Sequence, residues 1–277
     1  MTSNIHPTAI IDPKAELGEG VEIGPNAVIE AGVQIGDRSK IGPLVHIQGT
    51  TIIGPENVIY TGATIGFPPQ YLGFSGAPTR LVIGARNVIR EYASIHRGLS
   101  DESATTLGDE NFIMGFSHVA HDCHLGDRVI IANGVLLAGH VSVGDRAFIS
   151  GNAVVHQFSR IGRLAMVGGL ARVSQDVPPF MIAEGHPARV RGINVVGLRR
   201  AEFPAHVRME LKRLLRSIFG SGQTLSKAIA SLRPTEYSDA GRELIEFFRS
   251  SKRGITAFSL SARNGGGGEG GEPAEES

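Results

Sequence analysis

The sequence predicts a mainly β protein, a parallel β-helix of hexapeptide repeats followed by a small C-terminal α-helical domain. Three observations carry that expectation. Aliphatic residues recur every six positions, the apolar spacing becomes helical after Pro204, and the composition is poor in large side chains. Among 277 residues there are 37 glycines and no tryptophan, and aromatics make up 6%. That balance suits thin, repeated β-structure better than a globule packed on aromatic rings.

The period is strict. Ile5, Ile11, Leu17, Ile23, Ile29, Ile35, Ile41, Ile47, Ile53, Ile59 and Ile65 share one six-residue phase. The phase returns at Ile83, Ile89 and Ile95, and again from Leu107 through Ile113, Val119, Leu125 and Ile131 to Val173. Of the 29 slots between residues 5 and 173, only Tyr71, Ala77 and Asp101 are not aliphatic, which marks loops near 67–80 and 97–106. Two places before the slot stands a small or β-branched residue, as at Ala27, Val45, Ala63, Ala93 and Ala147. A glycine often follows the slot, as at Gly36 and Gly54, and is expected to supply a permissive turn. Three hexads per coil then form a triangular prism in which residues 18 apart stack, with about 4.8 Å between coils.

After Val173 the period fails. Val207, Leu211, Leu214, Leu215 and Phe219 recur at helical spacing behind Pro204, a second short helix fits 225–232, and a third starts at Ser238 as N-cap and runs through Leu244, Phe247 and Phe248. The expected division is therefore a rod over 1–190, a helical domain over 191–263 and a disordered Gly/Glu-rich tail over 264–277.

Charge narrows the choice of partners. Lys plus Arg and Asp plus Glu both number 27, so no overall bias points to nucleic acid, and no aromatic residues interleave with basic ones as a nucleic-acid surface would need. From His156 to Arg216, however, eleven basic residues face four acidic ones, a local balance of +7 that could steer an acidic partner. One cysteine, no membrane span and no signal segment suggest a soluble cytoplasmic protein.

Histidines crowd the regular second half of the rod: His118, His121, His124, His140 and His156. The 18-residue coil sets Asp122 beneath His140, giving an imidazole a carboxylate within about one coil spacing and suiting it to general-base work. Cys123 occupies the small-residue column, so its sulfur is expected inside the prism rather than in a Cys–His nucleophile. Histidines contributed by adjoining copies could instead hold zinc, as in a trimeric carbonic-anhydrase-like protein.

The segments I-R-E-Y-A-S-I-H-R-G (89–98), S-H-V-A-H-D-C (117–123), L-A-G-H-V-S-V (137–143), A-V-V-H-Q-F (153–158), M-V-G-G (166–169), Q-D-V-P-P-F (175–180) and G-I-N-V-V-G-L-R-R (192–200) add a resemblance. In this order, and over about residues 5 to 255, they resemble the acyl-carrier-protein-dependent UDP-N-acetylglucosamine O-acyltransferases that begin lipid A biosynthesis. The resemblance implies a left-handed β-helix and a homotrimer with active sites between subunits. It also implies transfer of a 3-hydroxyacyl chain from acyl-carrier protein to the sugar 3-hydroxyl, with the carrier's phosphopantetheine thioester as donor and no bound cofactor or metal. By motif, His121 looks like the general base, Asp122 its orienting carboxylate and Gly139 the backbone oxyanion donor. His118, His140, His156, Gln157 and Arg200 look like acceptor contacts; Met166, Gly169, Asn194 and Arg199 look like acyl and pantetheine contacts, with Gly169 where the family measures chain length. The chain departs from the family pattern at Tyr71 and Gly73, where an Asp and a Lys are usual, and at Val196 and Ala201, where an acidic and a basic residue are usual. Those departures bear on the acceptor, which could instead be a related nucleotide sugar such as one with a 3-amino group.

Overall fold

The computed structural model describes residues 4–220 and 222–259, so the expected tail at 264–277 lies outside the described residues. Strands of two to five residues line up into three sheets of eleven, nine and eight strands, the three faces of a prism. Coil stacks on coil in parallel and slot on slot: Ile5 pairs with Ile23, Ile11 with Ile29 and Leu17 with Ile35.

The interruptions read from the sequence leave this register intact. Ile53 pairs with Ile83, 30 residues on, and Ile83 with Leu107, 24 residues on, so the excursions add 12 and 6 residues to the 18-residue coil. Both are whole multiples of the repeat, and the aliphatic column continues across them in phase.

Slot side chains point inward and are buried, with Ile29, Ile47, Ile65, Ile89, Ile95, Ile113 and Ile131 among the most enclosed. The small-residue column is buried with them, and Asn57, Asn87 and Asn111 turn it into a polar ladder: each Oδ1 accepts the backbone N–H of the next coil at 2.7–2.9 Å. In the first described coils the slot residue Ile5 and the outward-facing Ile10 are exposed.

The reason for the glycines differs from the expectation. The left-handed corner falls three residues after the slot, and mostly non-glycine residues occupy it, including Asp122 (φ 58°), His140 (φ 60°) and Phe158 (φ 65°). The glycine directly after the slot answers to crowding instead: a Cβ on Gly54 would lie 2.7 Å from the Gly84 carbonyl oxygen of the next coil. Coils packed at hydrogen-bonding distance leave no volume there for a side chain.

Beyond Val173 the rod does not stop at once. Strand Met181–Glu184 continues the first sheet by pairing with Met166–Val167, then folds back antiparallel on Arg189–Ile193, which spans residue 190. Four α-helices follow among the described residues, α1 (Val195–Arg200), α2 (Ala205–Gly220), α3 (Leu225–Ala230) and α4 (Asp239–Arg249), with a 3₁₀ turn at Pro234–Glu236 before the last. The Ser238 hydroxyl caps α4 by accepting the Gly241 N–H at 3.3 Å. The hairpin and α1 carry no six-residue or long helical period, and sequence patterning did not reveal them. Leu211, Leu214, Leu215, Leu244, Ile245 and Phe248 form a second core against Phe180 and Met181. Two arginines of the rod fasten this cap. Arg160, its Nε on the buried Asp176 carboxylate at 3.0 Å, donates through Nη2 to the Phe247 carbonyl at 2.9 Å, and Arg163 pairs with Glu243 through Nε and Nη2.

Gly54→Ala is expected to destabilise the protein by about 1–3 kcal/mol, the usual cost of forcing a methyl group into a filled site. A urea-unfolding midpoint equal to wild type would contradict the crowding argument.

Candidate active site

The site is built on one corner of the prism, where the strand His118–Val119 ends and the chain turns through Ala120, His121 and Asp122. The left-handed conformation of Asp122 is held by its N–H, which donates to Thr105 Oγ1 at 2.8 Å. The carboxylate then lies inward of the His121 ring: His121 Nδ1 to Asp122 Oδ2 is 2.8 Å, with side-chain exposures of 16% and 7%. A carboxylate only accepts, so Nδ1 carries the proton and the Nε2 lone pair is left facing outward. Burial alone would push the Asp122 carboxyl up. Hydrogen bonds from Ser103, His121 and the Leu99 N–H, with the nearby His140 imidazole, outweigh burial and hold it below the ordinary carboxylate value. Leu99 and Ser103 belong to the six-residue excursion, so the inserted loop supports this carboxylate.

One coil up, Gly139 lies against the imidazole. A Cβ there would sit 2.6 Å from His121 Nε2, and the Gly139 N–H donates to no acceptor among the described residues. His140 follows. Its N–H donates to the His121 carbonyl at 3.0 Å, and its Nε2 is 3.7 Å from Asp122. The His140 ring meets His121 edge-on at 5.1 Å and stacks on Phe158 at 4.5 Å with 6° between planes. Burial lowers the His140 pKa, His121 and His124 add to the shift, and Asp122 opposes it.

His118 projects from the adjoining sheet face, with Nδ1 paired to Ser94 Oγ at 2.8 Å and its ring 5.0 Å from that of His96. Burial pushes the His118 pKa down to about 4, and the neighbouring His96 and His121 contribute. His96 is likewise lowered by burial, and its Nδ1–H donates to the Pro68 carbonyl at 2.7 Å. His118, His121 and Gly139 line a cleft of about 350 Å³ with Gln70, His96 and the apolar Leu136 and Val154. His96 and Gln70 were not singled out in the sequence. His96 was visible as an imidazole where glycine usually follows the slot, whereas Gln70 arrives on the twelve-residue excursion and leaves no periodic trace. On that loop Tyr71 is exposed and its ring covers Gly73.

His156 and Gln157 are exposed on the coil above, after strand Val154–Val155. Met166, Asn194 and Arg200 gather elsewhere, in a groove of about 660 Å³ with Arg128, Arg146 and Phe148, which Val196 and Ala201 also line. Asn194 spends its side chain on structure: Oδ1 accepts the Gly197 N–H at 2.9 Å to cap α1, and Nδ2 donates to the Leu164 carbonyl at 3.0 Å. Arg199 is exposed on α1 and does not line that groove. Gly169 is exposed at the opposite edge of the His118 sheet, and a Cβ there would meet only the Gly151 carbonyl at 3.5 Å, an ordinary contact. Within one chain the histidine cleft and the Arg200 groove share no lining residue.

His121, Asp122 and His140 offer donor atoms within 4.8 Å of one another. The carboxylate among them is already engaged by His121 Nδ1 and the Leu99 N–H, an acid–base arrangement. Cys123 is fully buried, with its Sγ on the Ala138 carbonyl and its pKa pushed up to about 12 by burial, so the thiol is not a nucleophile.

Comparison with known proteins agrees with this architecture. Bacterial transferase hexapeptide repeats match residues 32–66 and 104–139, and the domain 2 model of UDP N-acetylglucosamine O-acyltransferase matches 176–256. The fold and site thus define a hexapeptide-repeat acyltransferase with a helical C-terminal domain. Acyl-[acyl-carrier-protein]–UDP-N-acetylglucosamine O-acyltransferases of a Janthinobacterium species and of Halorhodospira halophila are 48% and 46% identical, each over 91% of this chain and 99% of the relative. Solved UDP-N-acetylglucosamine acyltransferases superpose closely. That of Francisella novicida has a TM-score of 0.87 at 31% identity, covering 95% of this chain and 100% of its own; that of Campylobacter jejuni has 0.86 at 34%, covering 92% and 100%. The chain belongs to the acyl-carrier-protein-dependent UDP-N-acetylglucosamine O-acyltransferase family, and its rod is a left-handed parallel β-helix.

The buried His118 has a consequence for stability. The unfolded chain takes up a proton near the ordinary imidazole value of 6.5, whereas the folded site resists protonation until about 4. Stability is therefore full above pH 6.5 and falls as pH drops toward 4, by about 2 kcal/mol from this group after allowance for its partial exposure. Melting temperature measured across that window should fall less steeply in His118→Asn than in wild type; equal slopes would contradict the assignment.

Proposed function

We propose that this chain transfers a 3-hydroxyacyl group from acyl-carrier protein to the 3-hydroxyl of UDP-N-acetylglucosamine, the first step of lipid A biosynthesis, with His121 as general base. The observation that supports the reading is the imidazole whose Nδ1–H is tied to Asp122 at 2.8 Å while Nε2 faces an open cleft beside an uncommitted Gly139 N–H.

The chemistry follows from that arrangement. His121 Nε2 takes the proton of the sugar hydroxyl as its oxygen attacks the thioester carbonyl, and Asp122 stabilises the imidazolium that forms. The Gly139 N–H donates to the tetrahedral oxyanion. Collapse breaks the carbon–sulfur bond, and the leaving thiolate of the pantetheine arm recovers the proton from His121, leaving an ester and a free carrier thiol. Base and oxyanion donor suffice for this acyl transfer, so the reading needs no bound cofactor or metal. His118 and His140, kept neutral by burial, serve as hydrogen-bonding groups for the acceptor beside the charged step.

The assembly in this reading is a homotrimer with active sites between subunits. Support comes from two features of the single chain: the Arg200 groove is separate from the His121 cleft, and Tyr92, Phe116, Leu136, Val154 and Leu170 are exposed apolar residues along the rod. A neighbouring rod would cover the apolar residues and bring the second group of ligand contacts to the first. No helix among the described residues is long and apolar enough to cross a membrane, and we place the reaction in the cytoplasm, with its carrier and nucleotide-sugar substrates.

Incubation with 3-hydroxyacyl carrier protein is expected to give the 3-O-acyl ester from UDP-N-acetylglucosamine, read by mass spectrometry; a 3-N-acyl amide formed from the 3-amino analogue alone would identify that acceptor instead. His121→Ala should lower kcat by about 10²–10⁴-fold in a protein that still folds. Full activity in that variant would end the general-base reading. Gly169→Met, which fills the open edge of the sheet, should shift preference to shorter acyl chains by about 1–3 kcal/mol per misplaced carbon. Unchanged selectivity across a chain-length series would remove Gly169 from the acyl groove.

A further inference from the structure

Between the strands Thr64–Phe67 and Arg80–Ile83 the chain leaves the prism on its twelve-residue excursion, and Gln70 is the residue of that segment that lines the histidine cleft. Little inside the excursion holds its shape. Its internal backbone hydrogen bonds run from the Tyr71 N–H to the Pro69 carbonyl at 2.8 Å and from the Phe74 N–H to the Tyr71 carbonyl at 3.0 Å. Pro68, Pro69 and Pro78 have no N–H to donate. The hold comes from the next coil instead. Just after strand Ser94–His96, the Arg97 N–H donates to the Phe67 carbonyl and Nη1 to the Gly66 carbonyl, both at 3.1 Å, and the guanidinium lies 5.7 Å from the centre of the Phe74 ring. These contacts fall on both sides of Gln70. The fold also makes a seat for the guanidinium, because a Cβ on Gly49 would lie 2.5 Å from Arg97 Nη1. Arg97 is half-buried and forms no ion pair among the described residues; Glu30, whose charge reaches it, is paired with His46 Nε2 at 2.7 Å. A cation drawn partly out of water without an anionic partner costs stability, and what Arg97 gains in exchange is its hold on the excursion.

We infer that Arg97 is a positioning residue for the acyl acceptor: it clamps the excursion to the rod so that Gln70 forms a fixed wall of the His121 cleft. The inference rests on the reading of that cleft as the place where the acceptor hydroxyl meets His121 Nε2. The Gln70 amide is a neutral donor and acceptor, matched to sugar hydroxyls and not to an acyl chain. In an unclamped excursion the ligand itself would have to order the residues around Gln70, and that entropy is subtracted from its binding free energy. With Arg97 in place the ordering is present before the acceptor arrives. Lysine is no substitute, since one ammonium lacks the planar, forked group that lies over Phe74 while donating to the Gly66 carbonyl.

Limited proteolysis reads the clamp without turnover, and steady-state kinetics reads its effect on the acceptor. Chymotrypsin is expected to cut Arg97→Ala at the exposed Tyr71 and Leu72 about tenfold faster than wild type, with the fragments identified by mass. KM for UDP-N-acetylglucosamine should rise by about tenfold in Arg97→Ala and in Gln70→Ala, with KM for the carrier within about twofold of wild type. In the Gln70→Ala background, Arg97→Ala should add less than about twofold, because the clamp then has no amide to place. Arg97→Lys should restore less than half of the lost acceptor affinity. A wild-type cleavage rate overturns the inference, as do equal KM factors in the two backgrounds, which a merely structural loss would give, and full rescue by lysine. If Arg97→Ala loses its cooperative melting transition, Phe74→Leu decides by the same two-background comparison, with an expected KM rise of about threefold; an unchanged or additive KM there overturns the clamp. Failure of the base assignment is separable, because it appears as retained turnover in His121→Ala while the proteolysis result stands.

Discussion

The hydrogen-bonded stacking of one coil directly on the next is the constraint from which the rest of the molecule follows. With Ile47 on Ile29 and Ile65 on Ile47, the inner column fixes both rise and rotation, and each outward side chain inherits a neighbour at the same position of the adjacent coil. The surface shows it repeatedly. Arg38 pairs with Glu56, Thr106 with His124, and Asp127 receives the Asp109 N–H, all at a separation of 18. The Asp122, His140 and Phe158 series is the same geometry at the candidate site.

That series sits where the backbone is least comfortable. Asp122, His140 and Phe158 occupy left-handed corners in three consecutive coils, each at a cost of about 1–2 kcal/mol for a residue with a Cβ. The corners are held because each N–H has a fixed acceptor on the coil below: Thr105 Oγ1, the His121 carbonyl and the Gly139 carbonyl respectively. In return, the side chains are aimed sideways off the rod and stacked on one another, so the carboxylate, the two imidazoles and the aromatic ring are positioned before any substrate arrives.

Much of the architecture was legible because a solenoid turns three-dimensional adjacency into sequence arithmetic. The aliphatic slots, the two excursions and the nearness of Asp122 to His140 could all be counted. What could not be counted came from contacts that ignore the period. Gln70 reaches the cleft on an inserted loop, and Arg253 meets His156 across 97 residues after the chain has passed through four helices. The glycines stand out in the sequence, but it shows where a side chain is missing and not whether torsion or crowding removed it. Asn194 shows a related ambiguity: its segment resembles a ligand-contacting one, while its amide serves as a helix cap.

The two excursions, twelve and six residues long, return the chain in phase. Segments that reach the reactive corner, Gln70 on one and Leu99 on the other, are thus carried as interchangeable cassettes: an exchange in whole hexads leaves every later residue facing the way it did before. Selectivity can diversify on such a scaffold while His121 and Asp122 stay put.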